Sequence, residues 1–235
     1  MKKYKIQIVK LGNQRYDYVF AKLAKYKSDL FEVSIFEIPN LPDADSGWGY
    51  STRKIREILL PSFNSKEYDM CIGFLDYQLN GETYGNCYGS NLKENKVFVL
   101  SFYQVAEFLS AENIELINYL IVNIYRYLTR HIMDDRIVHN ETRGCINDMC
   151  GVKTDIVYSC KNPVLCSSCE SKMGDKTFPD NYIRTLKKEL KRIKKATYYR
   201  IADFIKKYPI ISILIGAAFT IVLSIITEMI LRLIP

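Results

Sequence analysis

An uncharged apolar segment near the C-terminus places the strongest constraint on this chain. Ile210 to Thr227 reads IISILIGAAFTIVLSIIT, eighteen positions without a charged side chain. As an α-helix these residues extend about 27 Å, close to the hydrocarbon thickness of a bilayer, about 30 Å. The alternative is the core helix of a soluble protein, which seldom lacks charges over such a length. The sequence therefore predicts one membrane-spanning helix within residues 208–235.

A strongly basic segment precedes the span. Between Arg184 and Lys207 lie ten Lys or Arg and two acids, a local charge of +8, whereas the whole chain carries +7. The remainder is near neutral, which argues against a uniformly basic binder of specific nucleic acid. Because cations beside a span stay on the cytoplasmic side, we expect a single pass through the inner membrane with the body in the cytoplasm. Expected contacts of lipid headgroups are Lys187, Lys188, Lys191, Arg192, Lys194, Lys195, Lys206 and Lys207.

Small and polar residues recur every four positions along the span. Residues four apart lie on one helix face, and small residues there let two helix backbones approach closely in a membrane. Three interpretations stay open: a homo-oligomer of packed helices, a water-lined pore and a simple anchor. The stripe consists of Ser212, Gly216, Thr220, Ser224, Glu228 and Arg232.

Residues 179–207 are predicted to form a basic, amphipathic helical neck. Apolar residues from Ile183 to Ile193 alternate spacings of three and four, the seam of a helix. This seam suits either a coiled coil between copies or packing on the body of the same chain.

The body, residues 1–178, alternates strand-like and helix-like segments. This order predicts a mixed α/β domain with a mostly parallel sheet and flanking helices. Predicted strands are Lys5–Val9, Phe31–Glu37, Tyr68–Leu75 and Lys96–Ser101, and predicted helices are Tyr18–Lys27, Ser51–Leu60 and Ala111–His131.

Five of the seven cysteines fall within 25 residues. Cys166 and Cys169 are separated by two residues, the spacing of a zinc knuckle, and the simplest second pair is Cys145 with Cys150. Four thiolates leave zinc no open position, so the predicted zinc is structural. Cys160 is an alternative ligand, and a redox pair or free buried thiols are the other interpretations.

The stretch from Tyr68 to Met173 resembles archaemetzincins, a branch of the metzincin metallopeptidases. Gly73-Phe-Leu-Asp76, the strand ending at Ser101 and the helix ending at His131 follow that family's order. The four cysteines match its structural zinc site. The resemblance implies a metzincin-like fold and a zinc-binding ancestry.

The catalytic motif of that family, HExxHxxGxxH, is not present in this chain. Counted back from Cys145, its histidines fall on Asp134, Val138 and Gly144. A shifted register places His131 third, but Ile121 and Tyr125 then occupy the first two positions. Since the chain has two histidines in total, it cannot form the family's three-histidine site, and we predict a pseudo-metallopeptidase.

A second polar cluster follows the predicted long helix. Asp134, Asp135, His139 and Glu141 are a candidate ligand pocket or unusual metal site. The alternative is a solvated loop.

These features support three functional hypotheses. The first is a bacterial, non-catalytic membrane sensor or effector that binds a ligand or protein trigger, self-associates through its C-terminal helix and possesses a membrane-disrupting role in antiviral defence. The second is a divergent membrane-tethered zinc metallohydrolase that uses the Asp134–Glu141 cluster. The third is a tail-anchored scaffold that recruits a partner.

Overall fold

The computed structural model describes residues 2–45, 49–80, 87–89, 96–133, 137–175, 178–179, 181–193 and 197–233. The strands are β1 (Tyr4–Leu11), β2 (Phe31–Ile38), β3 (Gly49–Ser51), β4 (Met70–Leu75), β5 (Gln78–Asn80), β6 (Cys87–Gly89) and β7 (Val97–Ser101). The helices are α1 (Asp17–Ala24), α2 (Thr52–Leu59), α3 (Val105–Ala111), α4 (Leu116–Met133), α5 (Ile156–Lys161), α6 (Ser167–Gly174), α7 (Tyr182–Leu190), α8 (Thr197–Lys207) and α9 (Pro209–Leu233). Short 3₁₀ turns cover Leu60–Ser62 and Lys153–Asp155.

A five-stranded sheet has the order β2-β1-β4-β7-β6. The β1–β2, β1–β4 and β4–β7 pairs are parallel, and β6 runs antiparallel to β7. A separate parallel pair joins β3 and β5. The predicted mixed α/β class with a mostly parallel sheet is confirmed.

Alternating side chains of β1 bury both faces of the sheet, as expected for a central strand. Ile6 and Ile8 enter one core, which includes residues of α1, α4 and α7, whereas Val9 and Leu11 enter a second core, which includes residues of α2. α4 is buried nearly all round, since 15 of its 18 residues are buried. α4, the helix that precedes the cysteines, is therefore a central helix of the core.

Close packing of α2 on the sheet requires a glycine in β4. A Cβ atom on Gly73 would lie 2.5 Å from Leu59 Cδ1 and 2.9 Å from Leu11 Cδ1. Gly73, part of the motif singled out in the sequence, thus has a steric role here.

The predicted strands and helices of the body are found, with one break that sequence analysis did not expect. The helix predicted from Ala111 begins only at Leu116, as α4, whereas Ala111 ends α3, a helix that was not predicted. Asn113, between the two, has a left-handed backbone (φ 55°). Asparagine tolerates that conformation better than most residues.

The chain divides into two compact units, Met1–Lys194 and Lys195–Pro235. α7 belongs to the first unit, although sequence analysis placed it in the neck, outside the body that ended at 178. Leu186 and Leu190 join the first core. In α7, the apolar seam therefore packs on the body of the same chain, which was one of its two interpretations.

A buried carboxylate holds α7 against the start of β2. Glu189 is fully buried and accepts hydrogen bonds from Ser28 Oγ (2.7 Å), the Asp29 N–H (2.6 Å) and Tyr125 Oη. Tyr26 Oη lies 3.0 Å from Tyr125 Oη and extends the network. Burial raises the pKa of the Tyr125 phenol, which therefore stays protonated and able to donate.

The second unit contains α8 and α9. Within α9, Pro209–Ile230 is long and apolar enough to span a membrane, and none of its apolar window is buried within the chain. The hydroxyls of Ser212, Thr220 and Ser224 donate to carbonyls four residues earlier, at 2.9 to 3.0 Å. The three hydroxyls of the small-residue stripe are thus satisfied inside the helix, as is usual for Ser and Thr in apolar helices.

Candidate metal centre

Four side chains that can bind a metal converge between the end of α4 and the start of α6. One ligand atom from each lies within 4.8 Å of those of the other three. The four residues are His139, Cys145, Cys166 and Cys169. Among the described residues, this is the one such group with at least three His, Cys, Asp or Glu members.

Local structure brings the four residues together. Backbone bridges pair His139 with Asp148 and Cys145 with Val164. Cys166 is the N-cap of α6, and Cys169 lies in the first turn of that helix. The two-residue spacing of the pair therefore places both sulfurs at one helix end.

The spacing of these atoms fits a tetrahedral zinc ion. Cys145 Sγ and Cys169 Sγ are 3.8 Å apart, and zinc–sulfur bonds of about 2.3 Å at tetrahedral angles require about 3.8 Å. Cys166 Sγ and His139 Nε2 are 3.5 Å apart, and a zinc–nitrogen bond of about 2.0–2.1 Å requires about 3.6 Å. The group can therefore hold zinc with little rearrangement.

The imidazole of His139 is oriented from its far side. Nδ1 lies 3.0 Å from the carbonyl oxygen of Glu141 and 3.3 Å from Asp148 Oδ1. A proton on Nδ1 would donate to the Glu141 carbonyl, with the Asp148 carboxylate beside it, which leaves the Nε2 lone pair for the metal. This carboxylate–histidine arrangement commonly fixes the tautomer of metal-binding histidines.

Arg126 of α4 fixes the loop that carries Cys145 and Asp148. The guanidinium is buried and donates to the carbonyls of Ile146 (2.5 Å) and Asp148 (3.0 Å). The carboxylate of Asp148 is also buried and accepts from the Arg143 N–H at 2.9 Å. The metal group is therefore attached to the internal helix of the unit.

Hydrogen bonds set the protonation of the sulfur atoms that a metal would contact. The Cys145 thiol donates to Cys169, which raises the pKa of Cys145 and lowers that of Cys169. The backbone N–H of Asn147 donates to Cys145 Sγ and that of Cys169 to Cys166 Sγ, each at 3.5 Å. Because metal ligands must be thiolates, donors aimed at sulfur favour binding.

Cys150, the fourth ligand predicted from the sequence, is not a member of this group. Its sulfur lies 3.7 Å from Ser159 Oγ and 3.9 Å from Arg126 Nη2, and burial raises its pKa. Its backbone is left-handed (φ 51°), which directs the side chain differently from a regular knuckle. Cys160 is fully buried, and burial raises its pKa as well. His139 thus occupies the place for which Cys150 was predicted.

A metal held by these four donors has a structural role. One imidazole and three thiolates complete the tetrahedral shell, so no position stays open for a water nucleophile. Zinc is the ion that this donor set suits best.

Of the four residues of the predicted ligand pocket, the structure describes His139 and Glu141. His139 belongs to the metal group, while exposed Glu141 pairs with Arg143. Asp134 and Asp135 lie outside the described residues. Sequence analysis missed Arg126 and Asp148, and the available signal was the position of Asp148 between two cysteines, nine residues after His139.

Comparisons with known proteins give structural similarities. No family model and no curated protein matches the sequence. Archaemetzincin from Methanopyrus kandleri is 15% identical with a TM-score of 0.47, over 74% of this chain and 94% of that one. A zinc-dependent peptidase from Methanocorpusculum labreanum is 12% identical with a TM-score of 0.46, over 72% and 99%. Archaemetzincin from Archaeoglobus fulgidus, complexed with malonate, is 15% identical with a TM-score of 0.39, over 72% and 99%. Archaemetzincins are thus among the structural neighbours of this α/β chain.

Proposed function

We propose that this chain is a non-catalytic, membrane-anchored binding protein. Its zinc-stabilised α/β unit binds a ligand or partner, and its C-terminal helix associates with copies of itself. The four-donor His/Cys₃ group carries this proposal, because zinc bound there lacks a water ligand to activate. A binding role needs a rigid scaffold, which the buried α4 and its contacts to the metal loop supply.

Metal counting tests the non-catalytic part. We expect one zinc per full-length chain, lost when Cys166 and Cys169 are both replaced by serine and retained in Asp134→Asn/Asp135→Asn. The purified chain should cleave peptide mixtures no faster than the zinc-free serine variant. A second metal that disappears in the double asparagine variant, together with peptide cleavage, would instead support the metallohydrolase.

Self-association is proposed to use the small-residue stripe of α9. Apart from the neighbouring backbone of α9, a Cβ on Gly216 meets no atom of the described residues within 4 Å, so the position is open to a neighbouring helix. The internally bonded hydroxyls favour close helix packing, since they do not require water beside the stripe.

Mass measurement in detergent tests the assembly. Gly216→Leu should reduce the oligomer to a smaller species, because the larger side chain separates the helices. Ala218→Leu, two residues along and thus on the opposite side of the helix, is the matched control and should assemble normally. Equal masses for wild type and Gly216→Leu would refute assembly through the stripe and support the tail-anchored scaffold instead.

The proposed orientation puts the first unit in the cytoplasm at the inner membrane, because basic residues such as Lys206 and Lys207 precede the span. Membrane disruption in antiviral defence is the proposed output of assembly. Liposome leakage tests it: the assembled wild type should release dye, and Gly216→Leu should release much less. Intact liposomes with assembled protein would refute this output.

A further inference from the structure

The outward side of α7 and its C-cap carries four cations. These side chains are exposed, while Tyr182, Leu186 and Leu190 of the same helix are buried. Spacings of three, one and three residues put the cations on one side of the helix. They are Arg184, Lys187, Lys188 and Lys191. Because the buried side is fixed in the first core, the cationic side is held outward as a group.

This face borders a cavity of about 740 Å³, within the first unit. Apolar residues that are partly exposed also line it, namely Phe178, Pro179 and Ile183, and the Phe178 ring packs on buried Tyr182 with centroids 5.1 Å apart. A volume of several hundred Å³ is typical of small-ligand sites. The cavity thus offers cations and apolar surface to the same occupant.

The described residues of the lining have an excess of positive charge. Glu170 is their one carboxylate, and Lys187 Nζ contacts both of its oxygens at 2.9 Å. Arg184, Lys188 and Lys191 form no ion pair with any residue in the described part of the chain. Three cations are therefore available to an anion, and a guanidinium beside ammonium groups matches the oxygens of a phosphate.

We propose that this cavity binds the phosphate headgroup of an anionic phospholipid. Arg184, Lys188 and Lys191 contact the phosphate, and the apolar lining contacts the glycerol and first acyl carbons. Inorganic phosphate would use the cations alone and leave the apolar surface exposed. The proposal rests on the membrane anchoring proposed above, because seventeen residues separate Lys191 from Pro209, where the apolar helix begins.

Sequence analysis expected headgroup contacts along the whole basic segment, and the structure distinguishes among them. Lys187 is engaged by Glu170, and Arg192 does not line the cavity, whereas Arg184 does although it was not among the predicted contacts. The proposed site is therefore a shaped cavity. A diffuse basic surface would instead lose lipid binding equally when cations inside or outside the cavity are removed.

The test uses the full chain in a neutral detergent and soluble short-chain probes. Calorimetric titration compares dihexanoyl phosphatidylglycerol, dihexanoyl phosphatidylcholine and inorganic phosphate. The cavity variant is Arg184→Gln/Lys188→Gln/Lys191→Gln. Its matched control, Arg200→Gln/Lys206→Gln/Lys207→Gln, removes the same charge from α8, outside the cavity.

We expect the wild type to prefer phosphatidylglycerol over both other probes. The cavity variant should bind it about a hundredfold more weakly, since each cation near an anionic lipid contributes about fivefold, and the control should change by less than about threefold. Equal losses in both variants, no loss in the cavity variant, or equal binding of inorganic phosphate would overturn the proposal. An unchanged urea midpoint shows that the exposed substitutions leave the fold intact. Zinc content and extraction from membranes are measured on the same samples. They test the proposed function independently of lipid binding in the cavity.

Discussion

Replacing Glu189 by glutamine gives the sharpest test of how α7 is held. The side chain is fully buried and accepts three hydrogen bonds, from Ser28, Asp29 and Tyr125. Glutamine keeps the shape but removes the charge and one acceptor oxygen. A bond to a charged group contributes about 1.5–3 kcal/mol net, and a neutral one about 0.5–1.5 kcal/mol. Three bonds that each weaken by about 1 kcal/mol predict a loss of about 3 kcal/mol.

Urea unfolding of the full chain in detergent measures this loss. Far-UV circular dichroism follows the loss of helix and strand during the titration. The lower midpoint, at an unchanged denaturant slope, converts directly to free energy. The slope is a useful check because a change in it would indicate a less compact native state.

Glu170→Gln is the matched control, because it makes the same chemical change on an exposed ion pair. Glu170 and Lys187 have side-chain exposures of 40% and 44%, and such pairs contribute about 0–1 kcal/mol. The anchoring role of Glu189 would be refuted if the unfolding free energy of Glu189→Gln lay within roughly 0.5 kcal/mol of the wild type. Equal losses for the two glutamine variants would refute it as well.

Three further predictions follow from the metal group and the packed sheet. The absorption of bound cobalt(II) should indicate three thiolate ligands, and a fourth thiolate would contradict the His/Cys₃ group. Asp148→Asn should weaken metal binding about 10–100-fold, whereas Cys150→Ser should bind the metal as the wild type does. Burial lowers the pKa of Lys153 from its ordinary value of 10.5 to about 8. Between these two pH values the unfolded chain holds more protons than the folded one, so the unfolding free energy should rise with pH across this window. In Lys153→Met, urea titrations should show a smaller rise. Gly73→Ala should lower the unfolding free energy by about 1–3 kcal/mol in urea titrations, because its Cβ would meet Leu59; an unchanged midpoint would contradict the steric role.

Much of the first unit could be predicted because its strands have strong local signals. The apolar runs at Met70–Leu75 and Val97–Ser101 are too short for helices and too apolar for loops, and both are central strands. Neither α3 nor the start of α4 at Leu116 was predicted, because the apolar spacing of Ile114 and Ile117 does not reveal the left-handed backbone at Asn113.

The metal group was predicted in part, for a similar physical reason. The knuckle of Cys166 and Cys169 is a local pattern, and the structure places both sulfurs in the group. The fourth member depends on a left-handed backbone at Cys150 and on a bridge between His139 and Asp148. Neither feature can be read from residue spacing. The clustered cysteines therefore suggested Cys150 as the fourth ligand, where the structure has His139.

The order of elements along the chain has a mechanical consequence for the buried carboxylate. Tension on the apolar helix is transmitted by covalent bonds, and it arrives at α7 before it reaches α6 or the strands. Among the described residues, Ile193, Leu190 and Glu189 are therefore the first buried side chains to bear a load applied through α9, and Glu189 is the first of them held by hydrogen bonds from its side chain. A pulling experiment through Pro235 should detach α7 as the earliest event, and the force required should fall in Glu189→Gln.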